Sequence, residues 1–259
     1  MKNIITLITD FRSSDGYTGA IYGVIKSINP EAEIITITSE IPAGDIHKGS
    51  RALFNSYQFY PDGTINIAVV DPTVGSSRRN IIVYDIRHYF VGPDNGVFTP
   101  VYKKAKEYQC YQITNQKYRL TSGSDTFYGR DVFAPTAAYL SLGIAPDEFG
   151  SLINDPVMIG YPEPAFLGGC VIGKVIDIDT FGNLITNIPG SIVDKTATVI
   201  IRSHQINGLS KSYADVPEKQ PLAYIGSAGD LEIAVNRGNA EELFGAMLFD
   251  EIKVIRADK

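Results

Sequence analysis

Apolar residues recur with a helical period in three stretches, all before residue 143, whereas beyond residue 169 they come in short β-rich runs. That asymmetry divides the chain. In the first part, Ala20, Ile21, Val24, Ile25 and Ile28 form one face of a helix over Tyr17–Ile28, stopped by Asn29-Pro30. Residues 45–58 and 129–142 read as two further helices, the last ended by Gly143. Residues 3–10, dense in Ile, Leu and Thr, and residues 34–38, 64–71, 80–86 and 88–92 read as strands. Strands that alternate with helices predict a largely parallel sheet covered on both faces. Tyr161-Pro162-Glu163-Pro164 and Gly168-Gly169 then read as a connector. Beyond it, runs at 170–178, 183–188, 198–201, 223–225, 231–235 and 251–256 are separated by turn residues. The expected fold is an α/β domain over residues 1–160 and a smaller all-β domain, a barrel or sandwich, over 168–259.

At 259 residues with 44% hydrophobic and 20% charged content, the chain has enough apolar mass for sizeable cores. A net charge of −6, with Lys and Arg scattered, argues against nucleic-acid or anionic-membrane surfaces and leaves small molecules open. No apolar run is long enough to span a bilayer. The first apolar stretch meets Asp10 too early for a signal peptide, so a cytoplasmic location is expected. In a reducing compartment Cys110 and Cys170 are expected as free thiols. His47, His88 and His204 have no second ligand at a metal-binding spacing, so no metal site is expected. Neither a GxGxxG fingerprint after a strand nor a Walker loop is present.

The most informative segment is Ile67-Ala-Val-Val-Asp-Pro-Thr-Val-Gly-Ser-Ser-Arg78. Pro72 cannot donate a ladder hydrogen bond, so the strand stops on Asp71. Gly75 lets the loop turn back, and Arg78 arrives seven residues after the carboxylate. Open α/β sheets bind ligands at their strand ends, where an Asp beside an Arg can orient a small polar reactant. The same two residues could equally form a surface salt bridge closing a turn. Thr9-Asp10 ends the first strand on the same expected rim, and Asp10 can accept two hydrogen bonds from a vicinal diol or serve as a loop acid. Asp94-Asn95-Gly96 has turn composition. Thr126-Phe127-Tyr128-Gly129-Arg130-Asp131 sets an aromatic pair just before a helix, with Asp131 suited to complement that helix's charge. In the β part, residues 179–183 and 236–240 are turns whose amides could read a base edge.

In order along nearly the whole chain, these strings resemble the S-adenosyl-L-methionine (SAM) hydrolases that form adenosine, the SAM hydroxide adenosyltransferases, relatives of the fluorinase and chlorinase. The matching strings are Thr9-Asp10, Val70-Asp71-Pro72 with Val74-Gly75 and Arg78, Gly92-Pro93-Asp94-Asn95-Gly96, and Thr126-Phe127 with Gly129-Arg130-Asp131. Phe181-Gly182-Asn183-Leu184 with Thr186-Asn187, Gly226-Ser227, Leu231-Glu232-Ile233-Ala234 and Gly238-Asn239-Ala240 complete the set. The resemblance implies an α/β domain followed by a β-barrel. It also implies a homotrimer that binds SAM between subunits, with SAM as substrate and no cofactor or metal. By matching position, Asp71 and Arg78 would hold the attacking water and Asp10 the ribose hydroxyls. Phe181, Asn183, Asn239 and Ala240 would frame adenine, with Tyr213 against the base. Asp179 and Ser227 would meet the methionine part, and Asn95 and Phe127 join the substrate-binding set.

One position departs from the hydrolase pattern. Those enzymes carry His where this chain has Tyr128, the residue found in the halogenases. Tyr128 is therefore the expected third member of the catalytic set, contributing orientation through its hydroxyl. The halogenases in turn have Tyr in place of Asp71 and Thr in place of Val74. Water is the expected nucleophile; a halide-using adenosyltransferase and a non-catalytic SAM- or nucleoside-binding protein are the alternatives.

Overall fold

The computed structural model describes residues 4–121, 126–160 and 162–255. Asn3, Tyr161 and Arg256, which the sequence reading puts in the first strand, the connector and the last strand, lie outside the described residues. The chain separates into two compact units, Met1–Ile159 and Gly160–Lys259.

The first unit carries a seven-stranded sheet. Its strands are β1 (Ile4–Thr9), β2 (Glu33–Thr38), β3 (Ile65–Val69), β4 (Asn80–Tyr84), β5 (Tyr89–Pro93), β6 (Gln109–Gln112) and β7 (Leu152–Ile153), in the order β2-β1-β3-β5-β4-β6-β7. Side chains alternate between two buried faces, as the pleat requires. Ile5, Leu7, Ile65, Ile67 and Val69 pack against helices α1 (Tyr17–Ile28) and α4 (Ala134–Ser141). Ile8, Ala68, Val70 and Ile81 pack with Leu53 of α2 (Ile46–Tyr57) and Val101 of α3 (Thr99–Lys104).

The sheet is mixed, which corrects the expectation of a largely parallel one. Strands β2, β1, β3 and β5 are parallel neighbours, but β4, β6 and β7 join antiparallel. The reason is the link between β4 and β5. A parallel return needs a crossover of about a dozen residues or more, and only a tight turn is present. Asp85 closes that turn by accepting from the amides of Arg87 (3.0 Å) and His88 (2.7 Å). Cys110 is a free thiol on β6, and burial pushes its pKa up to about 12.

The second unit is antiparallel throughout. Its strands are β8 (Ala165–Leu167), β9 (Cys170–Ile178), β10 (Leu184–Pro189), β11 (Thr198–Ile201), β12 (His204–Asn207), β13 (Pro221–Ile225), β14 (Asp230–Val235) and β15 (Glu251–Ile255). They run in the order β12-β11-β15-β9-β10-β14-β13, with β8 paired to β9. The first half of β9 pairs with β15 and the second half with β10, so one long strand serves both sides of a barrel-like sheet. Val171, Val175, Leu184, Val199, Ile233 and Ile252 fill its interior. Gly168-Gly169 is a hairpin turn between β8 and β9 rather than connector. Both glycines have positive φ, 56° and 79°, which suits a two-residue hairpin.

Candidate active site

Strands β1 and β3 are parallel neighbours in register, with Thr9 opposite Val69, so Asp10 and Asp71 leave the sheet on one rim. Strand β5 is parallel to β3 and delivers Asn95 to the same rim. These three ends are tied together. Asp10 Oδ2 accepts from the Gly44 amide at 2.8 Å, and a side chain on Gly44 would meet Pro72, the residue after Asp71, at 3.3 Å. Asn95 donates through Nδ2 to the Val70 carbonyl at 2.8 Å, while its Oδ1 accepts from the Val97 amide at 3.2 Å. Asn95 therefore braces the strand end that carries Asp71.

Asp71 and Arg78 form a side-on ion pair. Arg78 Nε lies 2.9 Å from each Asp71 oxygen, and Nη2 donates to Oδ2. Their side chains are only 5% and 7% exposed, so this is not the surface salt bridge that the sequence left open. A buried carboxylate held by a planar fork is preorganised to accept further hydrogen bonds in a fixed direction.

Tyr128 meets the pair through its ring. The Arg78 guanidinium sits 5.2 Å from the Tyr128 centroid and 5.7 Å from that of Phe133, and Arg119 lies 5.6 Å from Tyr128. Tyr128 immediately precedes a π-helical turn, Gly129–Phe133, which runs into α4. Such turns recur at functional sites because they re-aim side chains. Phe127 packs edge-on against Phe11 at 5.6 Å and Tyr17 at 5.2 Å, with the Arg130 guanidinium 5.0 Å from its centroid. Asp131 is almost fully buried and takes both forks of Arg130, at 2.6 and 2.8 Å. Phe11 and Tyr17 escaped the sequence reading, because aromatic contacts between separate elements leave no periodic signal.

The second unit gathers the expected base-binding residues around one loop. Asp179 Oδ1 accepts from the amides of Phe181 (2.8 Å) and Asn183 (2.9 Å). Gly182 has φ 79°, and any side chain there would strike Asn239 Oδ1 at 2.1 Å, so the loop lies directly on the start of α5 (Ala240–Phe244). Asn239 caps that helix by accepting from the Glu242 amide at 2.9 Å, and Ala240 is buried beneath it. Phe181 is 75% exposed, a free aromatic face on an otherwise anchored loop.

A directed hydrogen-bond chain orients Asn183. Tyr224 donates to the Glu232 carboxylate, and burial, with the bonds to Glu232 and Tyr213, pushes its phenol pKa well above the usual range. Its one proton is thus committed, so Tyr213 must be the donor across the 2.8 Å contact between the two hydroxyls. Tyr213 then accepts from Asn183 Nδ2 at 3.1 Å, and Nδ2 also donates to Asp179 Oδ2 at 2.8 Å. Both Nδ2 protons are occupied, which leaves Oδ1 as the atom Asn183 can offer a ligand. Ser227 stands exposed in the β13–β14 turn, whose Gly226 packs on Glu232. Tyr224 and Glu232 were not singled out from sequence as site residues; the alternation of β14 marks Glu232 only as half-buried.

A buried Asp–Arg pair on the strand-end rim of an α/β unit, followed by an antiparallel unit with an anchored aromatic and amide loop, is the layout of a two-domain enzyme for a small molecule. The sequence profile of the SAM hydroxide adenosyltransferase N-terminal domain matches residues 5–150, and that of the C-terminal domain matches residues 173–253. The chain belongs to the SAM hydroxide adenosyltransferase family. The (R)-S-adenosyl-L-methionine hydrolase of Thermus thermophilus is 34% identical over 248 residues, covering 93% of this chain and 95% of that protein. The enzyme of the same name from Methanocaldococcus jannaschii is 34% identical over 268 residues, covering 98% and 96%. The crystal structure of an uncharacterized conserved protein from Thermotoga maritima superposes with a TM-score of 0.91 at 35% identity, covering 97% of this chain and all of that one. No helix among the described residues is long and apolar enough to cross a membrane.

Proposed function

We propose that this chain hydrolyses S-adenosyl-L-methionine to adenosine and L-methionine, with one oriented water attacking C5′ and methionine leaving from sulfur. The buried Asp71–Arg78 pair on the Asp10 rim carries this reading. A sulfonium is already a good leaving group, so departure needs neither a metal nor a general acid. What remains is to hold a water in line with the C5′–S bond. Such positioning is worth roughly 7–11 kcal/mol when the geometry is ideal. Asp71 orients the water and takes its proton late, while Arg78 keeps the carboxylate in place. Asp10 holds the ribose hydroxyls, and its half-buried place on the rim and the tether from the Gly44 amide suit that role. Phe181, Asn183, Tyr213, Asn239 and Ala240 frame adenine, with Asn183 Oδ1 facing a donor edge. Asp179 and Ser227 take the methionine end, and Asn95 and Phe127 shape the pocket around the reacting centre.

A halide in place of water would face the Asp71 carboxylate, whose repulsion alone is about 4 kcal/mol at ~4 Å for an effective dielectric of about 20 and is offset in part by the Arg78 cation bound to it. The test is to incubate pure protein with SAM in halide-free buffer. Adenosine with methionine supports hydrolysis. A 5′-halo-5′-deoxyadenosine on adding salt would assign it to the halide-using enzymes, and absence of turnover with retained SAM binding would make it a binding protein.

Tyr128 has a subordinate part in this scheme. Its ring face, rather than its hydroxyl, meets Arg78. Tyr128→Phe preserves that face and is expected to lower kcat less than tenfold, because the contact with Arg78 is not a hydroxyl bond to a charged group, whose loss would cost about 1.5–3 kcal/mol, tenfold or more. Tyr128→His should stay active and gain a limb near pH 6–7 in its pH–rate profile, because imidazole titrates at about 6.5. An unchanged profile in the His variant would remove position 128 from the proton path.

The active assembly in this reading is a homotrimer, each site combining the α/β unit of one subunit with the β unit of the next. Mixing inactive Asp71→Asn protein with an inactive Asn183→Ala protein under subunit exchange should restore part of the activity. A fully active monomer by light scattering would exclude the arrangement.

A further inference from the structure

The five guanidinium protons of Arg78 can be accounted for almost completely. The Nε proton and one Nη2 proton go to Asp71. The two Nη1 protons go to the carbonyl of Arg79 at 3.1 Å and to Oδ1 of Asn80 at 2.5 Å. One Nη2 proton is left without an acceptor among the described residues. Asn80 is 8% exposed and opens β4, where its own carbonyl accepts from the Ile113 amide at 2.8 Å, so its backbone is locked into the sheet. An acceptor on rigid backbone sets the rotation of the group it binds, as a side chain on a free loop would not.

We propose that Asn80 is the positioning residue of the Asp71–Arg78 pair: by holding Nη1 against the sheet it fixes the guanidinium plane, so that the remaining Nη2 proton is presented in one direction beside the Asp71 carboxylate. The inference rests on the reading of that pair as the water-holding element. It assigns Asn80 no contact with substrate. Removal of Asn80 should therefore act on turnover and leave ligand affinity alone.

The test compares the full-length parent with Asn80→Leu, which is nearly isosteric but offers no acceptor, and with Asn80→Asp, which restores one. Asn80→Leu is expected to lower kcat for SAM about tenfold to a hundredfold, the equivalent of one bond to a charged group, with the SAM Kd within about twofold of the parent. Asn80→Asp should recover at least tenfold of that loss. Guanidinium proton signals, assigned to Arg78 by their loss in Arg78→Lys, give a reading independent of turnover. The two Nη1 protons should be resolved in the parent and in Asn80→Asp and coalesce in Asn80→Leu, whose Nη1 keeps only the Arg79 carbonyl. If the Leu variant does not fold, Asn80→Val takes its place. Parental kcat in the acceptor-free variant, an Asp variant as slow as the Leu variant, or Nη1 signals indifferent to residue 80 would each overturn the proposal. A parent that turns over no SAM would defeat the hydrolase reading instead, and the Nη1 comparison would then decide alone whether Asn80 holds Arg78.

Discussion

Asp71→Asn is expected to bind SAM with near-parental affinity and to lose about 10²–10⁴ in kcat. The amide has almost the same shape but offers one acceptor oxygen instead of two and cannot take a proton. Arg78 Nε is shared between both oxygens but Nη2 donates to Oδ2 alone, so an amide in that place should put its oxygen at the Oδ2 position and its NH2 at the Oδ1 position, where the water would be held. The water would then be offered a donor where it now finds an acceptor, and its lone pair would be drawn away from C5′. Calorimetry for SAM binding and product analysis for turnover separate the two effects. Near-parental turnover would remove Asp71 from the mechanism, and lost binding would move it to the substrate-holding set.

Arg78→Met should damage the fold as well as the reaction. The Asp71 side chain is only 5% exposed, so the variant leaves a carboxylate buried without its cation. Breaking such a pair from one side costs about 3–5 kcal/mol, whereas removing both charges together costs much less. The double variant Asp71→Asn/Arg78→Met should therefore be more stable in urea than Arg78→Met alone, a non-additivity expected of residues in direct contact. All of these variants should be inactive. If Arg78→Met unfolds within about 1 kcal/mol of the parent, water reaches the carboxylate and the pair is not buried in solution.

Local pattern carried a good deal of this molecule. The helix over Tyr17–Ile28 is legible because one turn of a helix repeats in the sequence itself, and Asn29-Pro30 forbids its continuation. The end of β3 before Asp71 is legible because proline cannot donate to a ladder. Asp71 could be assigned to a strand end for that reason, and Asp10 because the apolar run before it stops there; the ordered strings around them were enough to recognise the family. Strand direction was not legible in the same way. A strand has the same alternation whichever way it runs, and only the tight link closed by Asp85 turned β4 antiparallel to β5. The hairpin at Gly168-Gly169 has the composition of a connector, because two glycines serve a turn and a connector equally well until φ is known.

The side-chain partners lay further still from the sequence. That Asp71 and Arg78 form a buried pair, that Tyr128 meets Arg78 through its ring, and that Asn183 keeps its amide oxygen free all depend on atoms brought together by packing. Composition and periodicity specify which residues prefer a strand, a helix or a turn, since those preferences arise from each residue's own backbone and its near neighbours. The direction of a hydrogen bond between Tyr213 and Tyr224, or the rotation of a guanidinium against Asn80, is set by acceptors on other elements, and exists only once the sheets have closed around them.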